Sequence, residues 1–314
     1  MLLSTLINGD GLRIFVKMNI LITGSTGFLG GIIRNVLQNN YSIFGLSRSN
    51  TEYNIQLQSD IPVFIEDFNI VIHSAGKAHI IPKCDKENSI FFFFFVKGTQ
   101  NLLKGIEQSK VLPKSFIFIS TVAVYGVDQG ENINENTPLL ANDSYGKSKI
   151  QAEKLVLEWC QKNNVICTIL RLPLLVGDNP PGNLGAMING INKGYYFNIA
   201  QGEARKSMVL ANDVANIVLK ASEIGGIYNL TDGSHPSFYE LSNAIARRNG
   251  KKRLFNIPFF IAKSIALVGD FVGSKFPLNS YKLKKITTDL TFDDTKARQV
   301  LGWKPTKVID YYLQ

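Results

Sequence analysis

Apolar and polar positions follow one another in blocks along the first half of the chain. Asn19-Ile20-Leu21-Ile22-Thr23 is a short apolar run that stops at a glycine, the pattern of a strand buried on both faces. Phe28, Ile32, Ile33, Val36 and Leu37 then recur at helical spacing, and Asn39-Asn40 ends that helix. Further strands are predicted at Tyr41–Leu46, Ile70–His73, Phe116–Ser120 and Cys167–Leu172, with helices over Thr99–Ser109 and Tyr145–Asn163. Strands alternating with helices predict an α/β fold: a parallel sheet, covered on both faces and doubly wound by right-handed crossovers.

Past Leu172 the alternation weakens, and glycine and proline rise around residues 177–185. The pattern divides the chain into a sheet domain over 18–172 plus 207–230 and a smaller, discontinuous C-terminal lobe over 173–206 plus 231–314. Pro258–Val272 is apolar but broken by Lys263 and Asp270, which predicts an amphipathic helix packed on the protein. Residues 1–17 read as an extension outside the fold. Asp10 and Arg13 interrupt their apolar residues, no small-residue cleavage site is evident, and Met18 directly precedes the first strong strand.

Gly24, Gly27 and Gly30 sit between the first strand and its helix. In that context one glycine allows a tight turn, one lets backbone amides approach a diphosphate, and the third lets helix and strand pack closely. The helix N-terminus adds free amides and partial positive charge, so the loop reads as a dinucleotide site. The end of the second strand selects between NAD and NADP. Ser47-Arg48-Ser49 stands there with no acid before Glu52, so Arg48 tilts the choice towards NADP. Asp60, before Ile61, is a candidate for the adenine amino group.

Tyr145 and Lys149 are four apart on a predicted helix and share a face. An ammonium beside a phenol, with the positive charge of an oxidised nicotinamide, is expected to favour the phenolate and lower the tyrosine pKa. Upstream, Ser120-Thr121 ends an apolar strand where parallel sheets bind ligands, and a hydroxyl there can orient a substrate oxygen for Tyr145.

Glycine loop, strand-end Ser-Thr and the Tyr145/Lys149 pair, in this order, resemble the extended short-chain dehydrogenase/reductase family, more narrowly its NAD-dependent epimerase/dehydratase group acting on nucleotide sugars. Supporting stretches are Val71-Ile72-His73-Ser74-Ala75-Gly76, Gly98-Thr99-Gln100-Asn101, Thr121-Val122-Ala123-Val124-Tyr125-Gly126 and Leu301-Gly302-Trp303-Lys304-Pro305. The resemblance runs from Met18 to the C-terminus and implies a Rossmann sheet with a substrate lobe. It implies cofactor contacts at Gly24, Thr26, Gly27, Phe28, Leu29, Ser74 and Ala75. Thr121, Tyr145 and Lys149 would be catalytic, with Lys149 on the nicotinamide ribose. Arg205 or Lys206 would grip the diphosphate of the sugar nucleotide, and Asn183 would touch substrate.

Two departures narrow the chemistry. Dehydratases of the group carry Asp-Glu after the catalytic threonine, whereas this chain has Val122-Ala123; the cysteine of the epimerase-reductases is missing there too. What is left is redox at one carbon: a sugar 4-epimerase or an NADPH-dependent 4-keto-sugar reductase. The second departure is Phe95, in the run Phe91 to Phe95, where the family carries an asparagine that holds a water for the proton relay of the lysine. Three readings stand: the pocket works without that relay, the chain is impaired, or the run reflects a slip in a repetitive coding stretch.

Composition alters little in this picture. The net charge of +9 suits anionic ligands, but the basic residues are dispersed apart from Lys251-Lys252-Arg253, which argues against nucleic acid. Cys84, Cys160 and Cys167 form no metal-binding spacing and read as free thiols, with no metal site expected. His73 and His79 read as packing residues rather than catalysts. A cytoplasmic protein, without a membrane span, forming a homodimer is the expectation. Two other classes stay open, a non-catalytic dinucleotide sensor or scaffold and a reductase of steroid-like or polyphenol substrates.

Overall fold

The computed structural model describes residues 3–7, 13–76, 91–251, 254–273 and 278–314, with side chains from residue 17 onward. His79, Cys84 and the Lys252-Arg253 part of the basic cluster lie outside the described residues. In chain order the elements are β1 (Leu3–Ile7), β2 (Arg13–Lys17), β3 (Asn19–Thr23), α1 (Phe28–Leu37), β4 (Ser42–Ser47), β5 (Tyr53–Asn54) and β6 (Ile70–His73). A π-helical turn (Phe92–Lys97) then runs into α2 (Gly98–Glu107) and β7 (Ser115–Thr121), followed by β8 (Gly130–Ile133), α3 (Ser144–Asn163), β9 (Ile166–Leu172) and β10 (Leu174–Val176). The remainder is α4 (Gly182–Lys193), β11 (Phe197–Ile199), β12 (Met208–Leu210), α5 (Ala211–Ile224), β13 (Gly226–Asn229), α6 (Phe238–Arg248), β14 (Phe255–Ile257), α7 (Phe259–Val272), α8 (Ser280–Thr287), β15 (Leu290–Phe292), α9 (Thr295–Leu301) and α10 (Val308–Leu313).

These elements form two compact units. The first holds Met1–Gly126, Leu139–Arg171 and Ala211–Tyr228; the second holds Val127–Pro138, Leu172–Leu210 and Asn229–Gln314. Val127–Pro138, read as part of the sheet domain, belongs to the second unit, because β8 pairs in parallel with β15. A four-residue strand with mixed polarity gives little periodic signal, and its partner lies far along the chain.

The first unit is built on a seven-stranded sheet of order β13-β9-β7-β6-β3-β4-β5. β3 pairs in parallel with both β4 and β6. The chain winds outward from β3 to β5, then returns to β6 and winds the other way. The switch point therefore lies between β3 and β6, where doubly wound sheets bind ligands at the strand carboxyl ends. Ile20, Leu21 and Ile22 are wholly buried, which is why β3 reads as a continuous apolar run. On one face Leu21, Val71, Phe116 and Phe118 pack against Leu102 and Ile106 of α2 and Val156 and Trp159 of α3. β1 and β2 form an antiparallel ribbon separate from this sheet.

In the second unit three two-stranded parallel sheets, β8–β15, β10–β12 and β11–β14, accompany a core of Val176, Leu184, Leu210, Leu241, Ile245 and Val308. The Leu-Gly-Trp motif acquires a physical role here. Gly302 takes the left-handed conformation that ends α9, and buried Trp303 donates its indole N–H to the Thr231 carbonyl at 2.9 Å. Helix α7 departs from expectation. It is buried only through Ala262, Ala266 and Gly269, and its bulky apolar residues face solvent.

Helix α1 carries a glycine that sets its approach to the loop. A Cβ at Gly30 would overlap the Gly24 carbonyl oxygen and crowd the Ser74 hydroxyl, both fixed in place. Gly30→Ala is expected to cost roughly 1–3 kcal/mol of stability from overpacking, read as a lowered urea midpoint with an unchanged slope; an unchanged midpoint would mean that α1 can move away from the loop.

Candidate active site

The glycine loop has the shape of a cradle. Gly24 adopts φ +68°, and a Cβ there would stand 2.8 Å from the Ala75 Cα. Gly27 caps α1 and brings no side-chain acceptor to its first-turn amides, so those donors are left for an anion. The residues present therefore fit a dinucleotide diphosphate. Thr26 is exposed on the loop, Phe28 is half-buried and Leu29 is buried. Ser74 donates its hydroxyl to the Thr23 carbonyl at 2.7 Å, and the Ala75 N–H donates to the Thr23 hydroxyl at 3.1 Å, which ties the end of β6 to the end of β3.

At the end of β4, Arg48 is exposed. Glu52, the first acid beyond it, is already engaged: it pairs with Arg34 at 2.6 Å and accepts the Gly45 N–H at 2.7 Å. These contacts hold the Glu52 carboxyl below its ordinary pKa despite the opposing effect of burial. Arg34 is a partner that sequence reasoning did not find. The ladder between β4 and β5 runs on through the Ile55 N–H to the Ser47 carbonyl, so Gln56 and Leu57 follow the strand end directly. Asp60 is exposed, beyond that point, and accepts from the Ser59 hydroxyl.

The residues expected to handle the proton lie on β7 and α3. Asp143 caps α3 by accepting the Gly146 N–H at 2.9 Å, and Tyr145, Lys149 and Glu153 then follow at intervals of four on the inward face. Thr121 ends β7; its hydroxyl accepts the Ala123 N–H at 3.2 Å and opposes the upward shift of the Tyr145 phenol. Val122 and Ala123 form the short turn that follows and present no titratable group.

Lys149 is buried. Its ammonium donates to the Ile119 carbonyl at 2.8 Å and sits 4.4 Å from the Phe95 ring centre and 4.6 Å from that of Phe118. Burial pulls its pKa down to about 7, against an upward pull from Glu153. For Tyr145 the expected sign reverses. Burial pushes its phenol up to about 12, although the Thr121 hydroxyl opposes this and Asp143 adds to it. Desolvation outweighs the partners because the phenol is boxed in by Phe91 and Phe95, whose ring centres lie 5.6 and 5.5 Å from its own.

The phenylalanine run thus divides its work. Phe91 and Phe95 are buried against Tyr145, while Phe92 and Phe93 are about half exposed. A π-helical turn carries the run, with the Gly98 N–H reaching back to the Phe93 carbonyl, a geometry frequent at functional sites. Phe95 also fills the space beside Gly76, where any Cβ would overlap its ring.

His73 is fully buried and its pKa falls to about 3, first from desolvation and then from Lys149. Its hydrogen bonds define an order. The Thr99 hydroxyl donates to the Phe95 carbonyl, so it accepts from Nε2 at 2.9 Å; the neutral ring then accepts at Nδ1 from the Thr23 hydroxyl at 2.7 Å, which itself accepts from Ala75. A neutral imidazole satisfies every member of this chain, in keeping with a packing role.

Below Lys149, Glu153 accepts both Nε and Nη2 of Arg171, at 3.1 and 2.7 Å, and the Ser120 hydroxyl; Arg171 also donates to the Tyr125 hydroxyl at 3.2 Å. This buried network fixes α3 to β7 and β9. Its sequence signal, an acid four residues beyond Lys149, was present but overlooked.

The remaining predicted residues lie in the second unit. Asn183 is exposed in the first turn of α4. Arg205 is exposed, donates to the His235 carbonyl at 3.3 Å and stands 4.0 Å from Glu240. Lys206 is half-buried, and burial holds its pKa below the usual lysine value.

With this geometry in view, comparison with known proteins decides the family. The model of the NAD dependent epimerase/dehydratase family matches residues 20–231, more than half of the chain. The chain belongs to that family. It is 25% identical over 300 residues, 89% of its length and 88% of the relative's, to an N-acetyl-alpha-D-glucosaminyl-diphospho-ditrans,octacis-undecaprenol 4-epimerase of Escherichia coli. It is 29% identical, over 93% of its length and 97% of the relative's, to a decarboxylating sterol-4-alpha-carboxylate 3-dehydrogenase of Dictyostelium discoideum. Among solved structures, a UDP-glucose 4-epimerase of Thermotoga maritima with UDP-glucose superposes with a TM-score of 0.72 at 20% identity, covering 94% of this chain and 96% of that one. The family member is an NAD(P)-dependent enzyme on a Rossmann-like sheet.

The Glu153–Arg171 pair supplies a test of the scaffold. Glu153→Ala leaves a buried guanidinium unpaired and is expected to cost about 3–5 kcal/mol, whereas Glu153→Leu with Arg171→Met should recover much of that loss. Urea unfolding of the three chains checks this, and an unchanged midpoint in the single variant would remove the network from the account.

Proposed function

We propose that the chain transfers hydride at C4 of a nucleotide sugar, with Tyr145 moving the accompanying proton. The observation that carries this reading is that Tyr145 and Lys149 lie one turn apart on the same face of α3, with the Lys149 ammonium held on the Ile119 carbonyl of β7, the strand that Thr121 ends. Bound along the glycine loop, a nicotinamide dinucleotide supplies the hydride acceptor and donor. Thr121 holds the sugar oxygen and aligns it on Tyr145. In the oxidative half-reaction the proton of that oxygen passes to the Tyr145 phenolate; in the reductive half-reaction the phenol returns it. A phenol held neutral by burial is ready for the reductive half. Lys149 lends positive charge when the phenolate must form. Lys206, half-buried and less tied than Arg205, is the residue we assign to the substrate diphosphate. Neither Val122 nor Ala123 can take a proton, so loss of water is not part of the reading.

A 4-epimerase performs both halves on one sugar. A 4-keto-sugar reductase performs only the second, and one observation favours it: Arg48 is exposed at the β4 end while Glu52 is occupied by Arg34 and Gly45. Arg48 then takes the 2′-phosphate of NADPH. Incubating the protein with NAD or NADPH and a panel of UDP-sugars and UDP-4-keto-sugars separates the two. Isomerised sugar with no net change in the reduced-nicotinamide absorbance is the result for an epimerase, and stoichiometric NADPH loss on a keto-sugar is that for a reductase. In either assay Tyr145→Phe should lower kcat by roughly 10²–10⁴-fold, the usual worth of a positioned acid/base, with dinucleotide affinity retained. Dinucleotide binding without turnover on any sugar would turn the reading towards a sensor, and full turnover by Tyr145→Phe would remove its assigned role.

A further inference from the structure

Helix α7 presents its bulky residues to solvent. Its small residues, Ala262, Ala266 and Gly269, are the buried ones, and Ala262 and Ala266 cluster with Leu283 of α8. Phe260 is 70% exposed, Phe271 93% and Val268 54%, and Phe259, Ile261, Leu267 and Val272 are exposed as well. The strand leading into the helix adds exposed Phe255, and α8 adds exposed Tyr281. A contiguous apolar helix surface of this kind marks an interaction site.

The charge around it identifies the occupant. Among the described residues of 251–285, five lysines stand against a single acid, Asp270. Asp270 is exposed but engaged, accepting both the N–H and the hydroxyl of Ser280. Lys251, Lys263, Lys282, Lys284 and Lys285 are all exposed, Lys285 reaching Asp128 at 3.0 Å. A second copy of the chain would set this positive face against its own like. An anionic headgroup layer attracts it, and the lysine stems can lie along the apolar surface while their ammonium groups stay wet.

We propose that α7 docks in the plane of an anionic lipid bilayer, with Phe260, Val268 and Phe271 entering the headgroup–acyl boundary and the lysines of α7 and α8 meeting the headgroups. At 14 residues the helix is too short to span a bilayer, and no helix among the described residues is long and apolar enough to do so. Lying along the surface is the arrangement its composition fits. The inference does not depend on the chemistry assigned to Tyr145.

Flotation of the full chain with vesicles of phosphatidylglycerol and phosphatidylethanolamine, beside vesicles of phosphatidylcholine alone, tests it. The expected result is flotation with the anionic vesicles that weakens as salt is raised. Phe260→Ser/Phe271→Ser should bind about tenfold more weakly or less, given the apolar area removed, with dinucleotide affinity and thermal midpoint unchanged. Lys263→Glu/Lys284→Glu should lose the preference for anionic lipid. The proposal is overturned if the wild-type chain stays in solution with anionic vesicles. It is equally overturned if flotation is untouched by the phenylalanine substitutions, or if the chain sediments as a dimer that those substitutions dissociate without any lipid binding.

Discussion

Two charged groups on one face of α3, Lys149 and Glu153, enter an apolar interior and must be satisfied there, with Tyr145 half-buried one turn before them. The Lys149 ammonium meets the Ile119 carbonyl, and the Glu153 carboxylate meets Arg171 and Ser120. Every one of these partners but Arg171 belongs to β7, so strand and helix are locked in a single register. Losing one partner would strand a buried polar group, a cost comparable to much of the stability of a small domain. The register that places Tyr145 near the end of β7 is therefore also a folding constraint, held by the Lys149 and Glu153 pairs one and two turns along.

The same interior sets the proton balance. Phe91, Phe95 and Phe118 surround the phenol and the ammonium, and desolvation pushes both groups towards their neutral forms. His73 completes the pattern. Its neutral ring links Thr23, at the end of β3, to Thr99 and thence to the Phe95 carbonyl, so the dinucleotide loop and the phenylalanine turn share one hydrogen-bond chain. Phe95 does not relay protons. Its ring lies against the Lys149 ammonium, and its carbonyl anchors the chain through Thr99.

Much of this was legible in the sequence because short-range pattern and long-range contact agreed. β3 and β6 are buried on both faces and read as unbroken apolar runs, and Gly24, Gly27 and Gly30 stand where close backbone approach requires them. Tyr145 and Lys149 follow from helical spacing. What was hidden depends on contacts far apart in the chain. Arg171 finds Glu153 only once β9 lies beside β7, and β8 is recognisable as a strand only through β15. The phenol shift was misjudged because a neighbouring charge is visible in a sequence and desolvation by Phe91 and Phe95 is not. The solvent-facing surface of α7 was hidden for a related reason, since apolar content says what a helix prefers to bury but not which of its faces finds cover.

The central claim is that burial, rather than the adjacent ammonium, governs Tyr145. Carbon-13 NMR of the chain labelled at tyrosine Cζ, with Tyr145→Phe to assign the signal, measures this directly. A signal that keeps its phenol shift from pH 6 to beyond the ordinary tyrosine pKa of 10.0, towards about 12, is the predicted result. Ionisation near neutral pH in the protein alone would contradict it, and would return control of the site to Lys149.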